Sequence, residues 1–219
     1  MVQHVFGRWF TLWKTCTPWS GNVFFISDAV MTSVPASDET ASDPLPAARA
    51  IVVMGVSGSG KTTLGGRIAA ALGYTFVEGD DLHPVANVAK MSAGIALTDE
   101  DRWPWLDRVA DTIRSLSDGG CVVSCSALKR AYRDHIRVQS GVFVTFVHPE
   151  VDLSTLSHRM ENRPGHYMPP SLLDSQWATL ERPDSDEAAI RLAGTSSPEA
   201  LASQVLDCLF GTRLGRADA

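Results

Sequence analysis

The stretch Gly55–Thr62, Gly-Val-Ser-Gly-Ser-Gly-Lys-Thr, decides the fold of this chain because it fits the spacing G-x-x-x-x-G-K-[ST]. The apolar, β-branched run Ile51–Met54 precedes it and predicts a buried parallel strand. The segment Leu64–Leu72 follows, with apolar residues at helical spacing, and Gly73 is typical of a helix end. A strand, a glycine-rich loop and a helix in this order predict a P-loop.

This loop is predicted to bind the phosphates of a nucleotide. Its glycines let successive backbone N–H groups point inward, and the helix dipole adds partial positive charge. Lys61 is expected to reach the β- and γ-phosphates, and the Thr62 hydroxyl to hold Mg²⁺. A flexible Gly/Ser connector is the alternative, but it does not explain Gly-Lys-Thr at a helix start. The predicted nucleotide-binding residues are Gly55, Val56, Ser57, Gly58, Ser59, Gly60, Lys61, Thr62 and Thr63.

Composition bounds the class of protein. The 219 residues have room for one α/β domain with a proper core, and 44% hydrophobic with 20% charged residues is typical of a globular protein. A net charge of −6 gives no basic footprint for nucleic acid, although it could hide a local basic site. No uninterrupted apolar run is long enough to span a bilayer, so we expect no membrane partner.

The four cysteines predict a reduced, cytoplasmic protein. They are Cys16, Cys121, Cys125 and Cys208, without zinc-like pairing. Cys121 and Cys125 fall in one predicted strand, where four residues span ~13 Å. A disulfide needs Cα atoms within ~7 Å, so these two cannot pair.

Residues 1–49 are predicted to form an N-terminal extension, and residues 50–213 the catalytic domain. The segment Ser33–Pro46 is rich in Ser, Asp, Pro and Ala and predicts a disordered linker. A signal peptide is a poor match, whereas a transit peptide stays open because no acidic residue precedes Asp28. A further alternative is that translation starts at Met31 and the preceding residues are a wrongly assigned start.

From residue 50 onward, strand and helix patterns alternate. This alternation predicts a three-layer α/β fold with a five-stranded parallel sheet flanked by helices. The predicted strands are Ile51–Met54, Tyr74–Val77, Cys121–Cys125, Val142–Val147 and Ala188–Leu192. The predicted helices are Leu64–Leu72, Thr98–Leu116, Leu128–Val138, Val151–Met160, Ser171–Leu180 and Pro198–Phe210, with Thr98 and Asp101 resembling a capping box.

The segment after the second strand carries a candidate catalytic carboxylate. Ligands bind at the carboxyl edge of open α/β sheets, which puts Asp80 beside the P-loop. Asp80 could orient a substrate hydroxyl toward the γ-phosphate and accept its proton. The alternative is that Asp80 or Asp81 only caps the following helix. His83, Asn87 and Lys90 share helical spacing on a segment expected to cover the substrate side.

Two groups of cations could bind anions near the same edge. Lys129, Arg133 and Arg137 recur every four residues and could hold a carboxylate or phosphate, unless they form a solvated helix face. Arg159 and Arg163 precede a Gly/Pro-rich break that is typical of a mobile lid. Arginines there could close over phosphate charge and exclude water. The alternative is a charged surface turn.

Several separated motifs together resemble the bacterial-type gluconokinases over residues 51–210. They are Gly55–Thr62, Glu78-Gly79-Asp80 with His83-Pro84, Asn87 with Lys90-Met91, Asp99 through Trp105-Leu106, Cys125–Lys129 with Tyr132-Arg133, Arg163 with Gly165–Met168, and Gln176 with Leu180-Glu181 and Pro183. Ala96 departs from the pattern, which usually has proline there.

The resemblance implies ATP- and Mg²⁺-dependent phosphorylation of D-gluconate at its 6-hydroxyl, on a fold like that of adenylate and shikimate kinases. It also implies a homodimer and a helical substrate and lid region. Carried over by position, the catalytic residues would be Lys61, Asp80, Arg159 and Arg163. The substrate-binding residues would be Asp80, His83, Asn87, Lys129, Arg133 and His166. Two alternatives stay open: a related kinase acting on shikimate or another sugar acid, and a nucleotide-binding regulator without transfer activity.

Overall fold

The computed structural model describes residues 49–161 and 171–211 of the chain. The predictions for residues 1–48, for Arg163 and for His166 lie outside the described residues. None of the described helices is both long and apolar enough to cross a membrane.

Five parallel strands form one sheet in the described part of the chain, as predicted. The strand order is β2-β3-β1-β4-β5, and every neighbouring pair runs parallel. The central strand β1 is fully buried because it has neighbours on both sides and helices on both faces. The strand bounds are β1 Ala50–Val53, β2 Thr75–Glu78, β3 Cys121–Ser124, β4 Val144–Glu150 and β5 Ala189–Ala193.

Helices cover both faces of this sheet, which confirms the predicted three layers. One face packs Val52 and Val123 against α3 and α4 through Trp105 and Ile136, and the other packs Ile51 against α1 and α7. The helix bounds are α1 Lys61–Leu72, α2 Val85–Ser92, α3 Asp99–Leu116, α4 Arg130–Ser140, α5 Leu153–Glu161, α6 Ser171–Thr179 and α7 Pro198–Phe210, with a short 3-10 helix at Gly79–Leu82.

Two helix ends confirm signals that are local in the sequence. The side chain of Thr98 accepts a hydrogen bond from the backbone N–H of Asp101, and the Asp101 carboxylate accepts one from the Thr98 N–H. This reciprocal pair is the predicted capping box at the start of α3. Gly73 ends α1 in the left-handed conformation, with φ of 68°.

The start of α4 differs from the prediction in a way that bears on function. The helix begins at Arg130, and Lys129 precedes it in an extended conformation. Lys129 therefore does not continue the helical stripe of Arg133 and Arg137. The extended backbone lets its side chain point to the start of α3 instead, where it meets Asp99.

Candidate functional site

The P-loop leaves the carboxyl end of the central strand β1. The connection from β1 to β2 runs toward one edge of the sheet, and the connection from β3 to β4 runs toward the other edge. The P-loop therefore opens at the point where the direction of the connections reverses. Gly55, Gly58 and Gly60 have φ of 128°, 81° and 91°, which favour glycine. The side chain of Val56 is buried in an apolar cluster, so only its backbone can face a ligand. Thr63 is exposed in the first turn of α1.

Lys61 lies across the loop that it follows. Its Nζ donates to the carbonyl of Val56 at 3.0 Å, and the side chain lines a cleft beside the loop. A lysine in this position can transfer its hydrogen bond from a loop carbonyl to a phosphate. The structure thus puts the cation of the motif at the boundary between the loop and the cleft.

A carboxylate that the sequence analysis missed contacts the P-loop helix. Thr62 Oγ1 donates to Glu78 Oε2 at 2.7 Å. Ser124 at the end of β3 donates to the other carboxylate oxygen of Glu78. Glu78 ends β2 two residues before Asp80, and this acidic residue at a strand end is the signal that could have indicated it.

The backbone next to Asp80 is held from two sides. The N–H of Gly79 donates to Ser124 Oγ at 3.3 Å, and Trp105 Nε1 donates to the Gly79 carbonyl at 2.8 Å. A Cβ at position 79 would overlap the Ser124 carbonyl, so this close approach requires glycine. Asp80 is consequently fixed on the wall of the cleft that Lys61 also lines.

This cleft lies between the P-loop, the Asp80 segment, α3 and α6. Its lining combines charged, polar and apolar side chains, as is common in small-molecule sites. Its polar lining residues are Ser57, Lys61, Asp80, His83, Arg102, Ser126, Ser175 and Gln176. Its apolar lining residues are Met91, Ala96, Leu97, Trp105, Leu128 and Leu172.

Arg102 is the cleft cation that the sequence analysis missed. It is 9% exposed, and its Nη1 donates to the Leu97 carbonyl at 2.6 Å. Tyr132 Oη lies 3.4 Å from the same nitrogen. In the sequence, Arg102 falls within the motif from Asp99 to Leu106, where it was given no role. The guanidinium has further N–H groups, which a carboxylate can engage in two parallel hydrogen bonds.

His83 lines the cleft as a neutral ring. It stacks on Trp105 with ring centroids 4.1 Å apart and an interplanar angle of 15°. Burial, aided by the charge of Arg102, lowers the pKa of His83 from 6.5 to about 4. The ring is therefore uncharged at neutral pH.

Asn87 is not among the lining residues of this cleft, and its substrate contact stays a prediction. Its side chain is 4% exposed, and Nδ2 donates to the carbonyl of Asp101 at 2.7 Å. The periodicity of α2 predicted a shared face with His83, and Asn87 does contact His83. The face that carries Asn87 packs against the start of α3, however, and not against the space that a ligand could fill.

Lys129 also has a protein partner, and its substrate contact stays a prediction. Its Nζ contacts both carboxylate oxygens of Asp99, at 2.9 and 2.8 Å. Hydrogen bonding to Asp99 raises the pKa of Lys129, and the same contact is the main cause that lowers the pKa of Asp99. Lys129 is not among the lining residues of the described cleft.

Arg133 is held by protein partners, and its substrate contact stays a prediction. It is fully buried, and its Nε and Nη2 form a two-pronged ion pair with Glu187 at 2.6 and 2.7 Å. Its Nη1 donates to the carbonyls of Ala127, Leu128 and Glu181 at 3.0 to 3.2 Å. Through these hydrogen bonds, Arg133 joins α4 to the segment before β5.

Side-chain hydrogen bonds connect α5 and α6 to the P-loop. Arg159 donates from Nη1 to the Gly58 carbonyl at 3.5 Å and from Nη2 to the Gly194 carbonyl at 3.4 Å. The N–H of Ser57 donates to Gln176 Oε1 at 2.7 Å. Gln176 belongs to one of the motifs of the resemblance, but it was not predicted to be a site residue. These side chains can respond when a phosphate enters the loop.

Fold and site together define a P-loop kinase that acts on small molecules. A family model described as shikimate kinase matches residues 57–210. The chain is 48% identical over 160 residues to a gluconokinase of Gluconobacter oxydans, covering 72% of this chain and 89% of the relative. It is 48% identical over 147 residues to the thermosensitive gluconokinase of Escherichia coli, covering 66% and 78%. The chain therefore belongs to the gluconokinase family, within the broader shikimate kinase-like group.

Solved structures agree with this assignment. A gluconokinase of Sinorhizobium meliloti matches with a TM-score of 0.67 at 46% identity, covering 73% of this chain and 90% of that one. An unliganded sugar kinase of a Janibacter species matches with a TM-score of 0.70 at 45% identity, covering 74% and 94%. An APS kinase of Mycobacterium tuberculosis, with a TM-score of 0.54 at 21% identity over 73% of this chain and 96% of that one, shares the fold.

Proposed function

We propose that this protein transfers the γ-phosphoryl group of ATP to the 6-hydroxyl of D-gluconate, giving 6-phospho-D-gluconate and ADP. One observation carries the proposal: a single cleft is lined both by the P-loop lysine, Lys61, and by Asp80, His83 and Arg102. The lysine expected to bind ATP and the residues proposed to bind the acceptor substrate therefore line the same cleft, in a chain that belongs to the gluconokinase family.

Arg102 is proposed to bind the carboxylate of the acceptor. Lys129 and Lys90 are each paired with a carboxylate, Asp99 and Asp101 respectively, so their charges are already compensated. Arg102 is buried at the cleft, and its carboxylate neighbour Asp99 is 3.9 Å away. A low-dielectric position with a planar donor group suits a carboxylate ligand.

Asp80 is proposed to hold the 6-hydroxyl and accept its proton as the oxygen attacks the γ-phosphorus. The bond between that phosphorus and the bridging oxygen of ADP breaks, and the leaving charge stays on ADP. Phosphoryl transfer depends mainly on positioning. The two hydrogen bonds that hold Gly79, from its N–H to Ser124 and from Trp105 to its carbonyl, therefore help to position Asp80.

The nucleotide side is proposed to use the P-loop N–H groups, the start of α1, Lys61 and Arg159. Lys61 would exchange the Val56 carbonyl for phosphate oxygens, and Arg159 would exchange the Gly58 carbonyl in the same way. Arg163 and His166 stay predictions of a catalytic and a substrate contact.

The donor set fits a Mg²⁺ ion that accompanies ATP. Thr62 Oγ1 and Glu78 Oε2 are oxygen ligands 2.7 Å apart at the start of α1. Mg²⁺ prefers oxygen ligands and commonly takes one or two carboxylates together with substrate phosphates. We propose that Thr62 and Glu78 hold the ion, which when bound neutralises charge on the transferred group.

Acceptor-dependent ADP release tests the proposal. The panel contains gluconate, other sugar acids, shikimate and nucleoside monophosphates, and NMR of the product identifies the phosphorylated hydroxyl. Stimulation by gluconate with phosphate at the 6-position is the expected result. Preference for shikimate or another acid would contradict the gluconate assignment, and ATP binding without acceptor-dependent turnover would favour the regulatory alternative.

Asp80→Asn tests the catalytic assignment. We expect kcat to fall by roughly 100-fold or more, because an amide cannot accept the proton, while the affinity for ATP changes little. Lys61→Ala should abolish transfer with the fold retained. Wild-type kcat in Asp80→Asn would refute the role of this carboxylate.

A homodimer, a cytoplasmic location and a catalytic domain at residues 50–213 stay predictions of the sequence. Light scattering of the purified protein tests the first. Fractionation of cells of the native host tests the second, and the intact mass of the native protein tests where its chain begins.

A further inference from the structure

The orientation of the Asn87 side-chain amide is determined by its neighbour. Nδ2 lies 2.7 Å from the backbone carbonyl oxygen of Asp101. A carbonyl oxygen can only accept a hydrogen bond, so the NH₂ end of the amide must face it. The burial of Asn87, which is 4% exposed, keeps water from competing for this contact.

The same nitrogen lies 3.4 Å from Nδ1 of His83. An amide NH₂ has two N–H groups and no acceptor, so the group that does not face Asp101 is available to the ring. Nδ1 must then be the acceptor. A neutral imidazole that accepts at Nδ1 carries its proton on Nε2.

The ring has little freedom to escape this arrangement. Trp105 stacks on its face at 4.1 Å, and Trp105 is itself held by the Gly79 carbonyl. Asn87 does not line the cleft, whereas His83 does, so the Nδ1 edge faces the protein and the opposite edge carries Nε2.

We propose that Asn87 is a positioning residue that holds His83 as the Nε2–H tautomer, so that His83 donates a hydrogen bond to a hydroxyl oxygen of the acceptor. This inference rests on the proposed function for the identity of that acceptor. It assigns His83 the role of a donor and excludes it as the base for the reaction.

The assignment gives the cleft a definite polarity. Asp80 accepts a hydrogen bond, whereas His83 and Arg102 donate. A hydroxyl can both donate and accept a hydrogen bond, so a polyol can donate to Asp80 and accept from His83 and Arg102 at the same time. An acceptor that lacks the hydroxyl facing His83 would leave a buried donor unpaired, which weakens binding.

Ring-nitrogen NMR of the unliganded, ¹⁵N-labelled protein tests the tautomer without any substrate. The expected result is one neutral form protonated at Nε2 in the wild type, and a mixture of both forms in Asn87→Ala. A wild-type ring protonated at Nδ1, or an even mixture, would overturn the proposal. If the tautomer is as expected but gluconate is not phosphorylated, the proposed function fails and the tautomer assignment stands.

Lys90→Met is the matched control for Asn87→Ala. Lys90 lies on the same helix and also contacts Asp101, at 2.6 Å, but has no contact with His83. We expect the control to leave the His83 tautomer unchanged. An equal shift in Lys90→Met would mean that α2 packing sets the tautomer, and it would overturn the role of Asn87.

Kinetics of His83 variants test the donor role. The amide nitrogen of glutamine can replace Nε2, whereas that of asparagine is too short to reach it. We expect His83→Gln to keep the KM for gluconate within about 5-fold of wild type, and His83→Asn to raise it roughly 10-fold or more, as loss of one hydrogen bond predicts. The KM for ATP should change little in both. Equal effects of the two variants on the KM for gluconate would contradict a donor at Nε2.

Discussion

Replacing Glu187 by Gln tests whether Arg133 is a structural or a substrate-binding residue. Both side chains are buried, with 0% and 1% exposure for Arg133 and Glu187. Burial alone would raise the pKa of Glu187, but hydrogen bonds from Arg133 hold it below its usual value. The carboxylate also lies 3.6 Å from Arg137 Nη1, which keeps Asp134 as a second partner, so Glu187→Gln removes chiefly the counter-charge of Arg133.

The expected loss of stability follows from the cost of an unpaired buried charge. Removing one partner of a buried ion pair costs about 3–5 kcal/mol of unfolding free energy. For a domain of this size, each kcal/mol shifts the melting temperature by roughly 2–4 °C, so we expect a decrease of roughly 6–20 °C. No atom of either residue lines the cleft, so the KM for gluconate should stay within about threefold of wild type.

Urea unfolding followed by tryptophan fluorescence measures the unfolding free energy, and ADP release at 25 °C measures the KM for gluconate. Arg130→Met is the matched control, because Arg130 also joins α4 to the segment before β5 but pairs with Asp186 at the exposed surface. We expect only a small loss of stability in this control.

A double-mutant cycle separates the pair from its surroundings. Arg133→Met with Glu187→Met removes both charges, and its loss of stability should be smaller than the sum of the single losses. Unchanged stability in Glu187→Gln, together with a tenfold or greater rise in the KM for gluconate, would refute the structural assignment and restore Arg133 to the site.

Three further changes test other parts of the site and core. Arg102→Met should raise the KM for gluconate roughly 10- to 150-fold, the equivalent of a charge-assisted hydrogen bond of about 1.5–3 kcal/mol, with the KM for ATP unchanged; a similar rise for both substrates would contradict carboxylate binding. Gly79→Ala should lower kcat roughly 100-fold, because the added Cβ displaces the segment that carries Asp80. Gly66→Ala is the control and should keep kcat, because nothing lies within 4 Å of its added Cβ. Equal kcat values in the two variants would refute the role of the Gly79 backbone in positioning Asp80. Burial lowers the pKa of His148 to about 4, so the unfolded chain alone binds this proton between about pH 6.5 and 4. Unfolding free energy should therefore fall as the pH drops through that range, by up to roughly 1.4 kcal/mol per unit from this residue, and urea titrations of His148→Gln should show a smaller slope.

The features that could be predicted from the sequence depend on residues close together in the chain. The P-loop needs glycines and a lysine at set spacing, and the capping box needs Thr98 and Asp101 three residues apart. The alternation of strand and helix patterns predicted the parallel sheet, because a right-handed crossover leaves few other topologies. The position of Asp80 beside the P-loop could be predicted for the same reason, because Asp80 follows a strand of that sheet.

Charge and spacing alone do not tell whether a cation contacts a ligand or a distant part of the protein. Lys129 and Arg133 have the spacing of an anion-binding face, yet Asp99 lies 30 residues from Lys129 along the chain and Glu187 lies 54 residues from Arg133. A buried arginine is stable only with such a partner, and no periodicity predicts one so distant. For the same reason, no signal in the sequence indicated that Arg102 would line the cleft.

The sequence by itself determined the class of fold and the nucleotide loop, because both follow from local chemistry and short-range spacing. The tertiary structure decided which charges remain available to a ligand. Packing brings Asp99 to Lys129 and Glu187 to Arg133, and it leaves Arg102 and the neutral ring of His83 at the cleft. The physical reason is that burial and pairing are properties of contacts between distant segments, and these contacts exist only once the chain has folded.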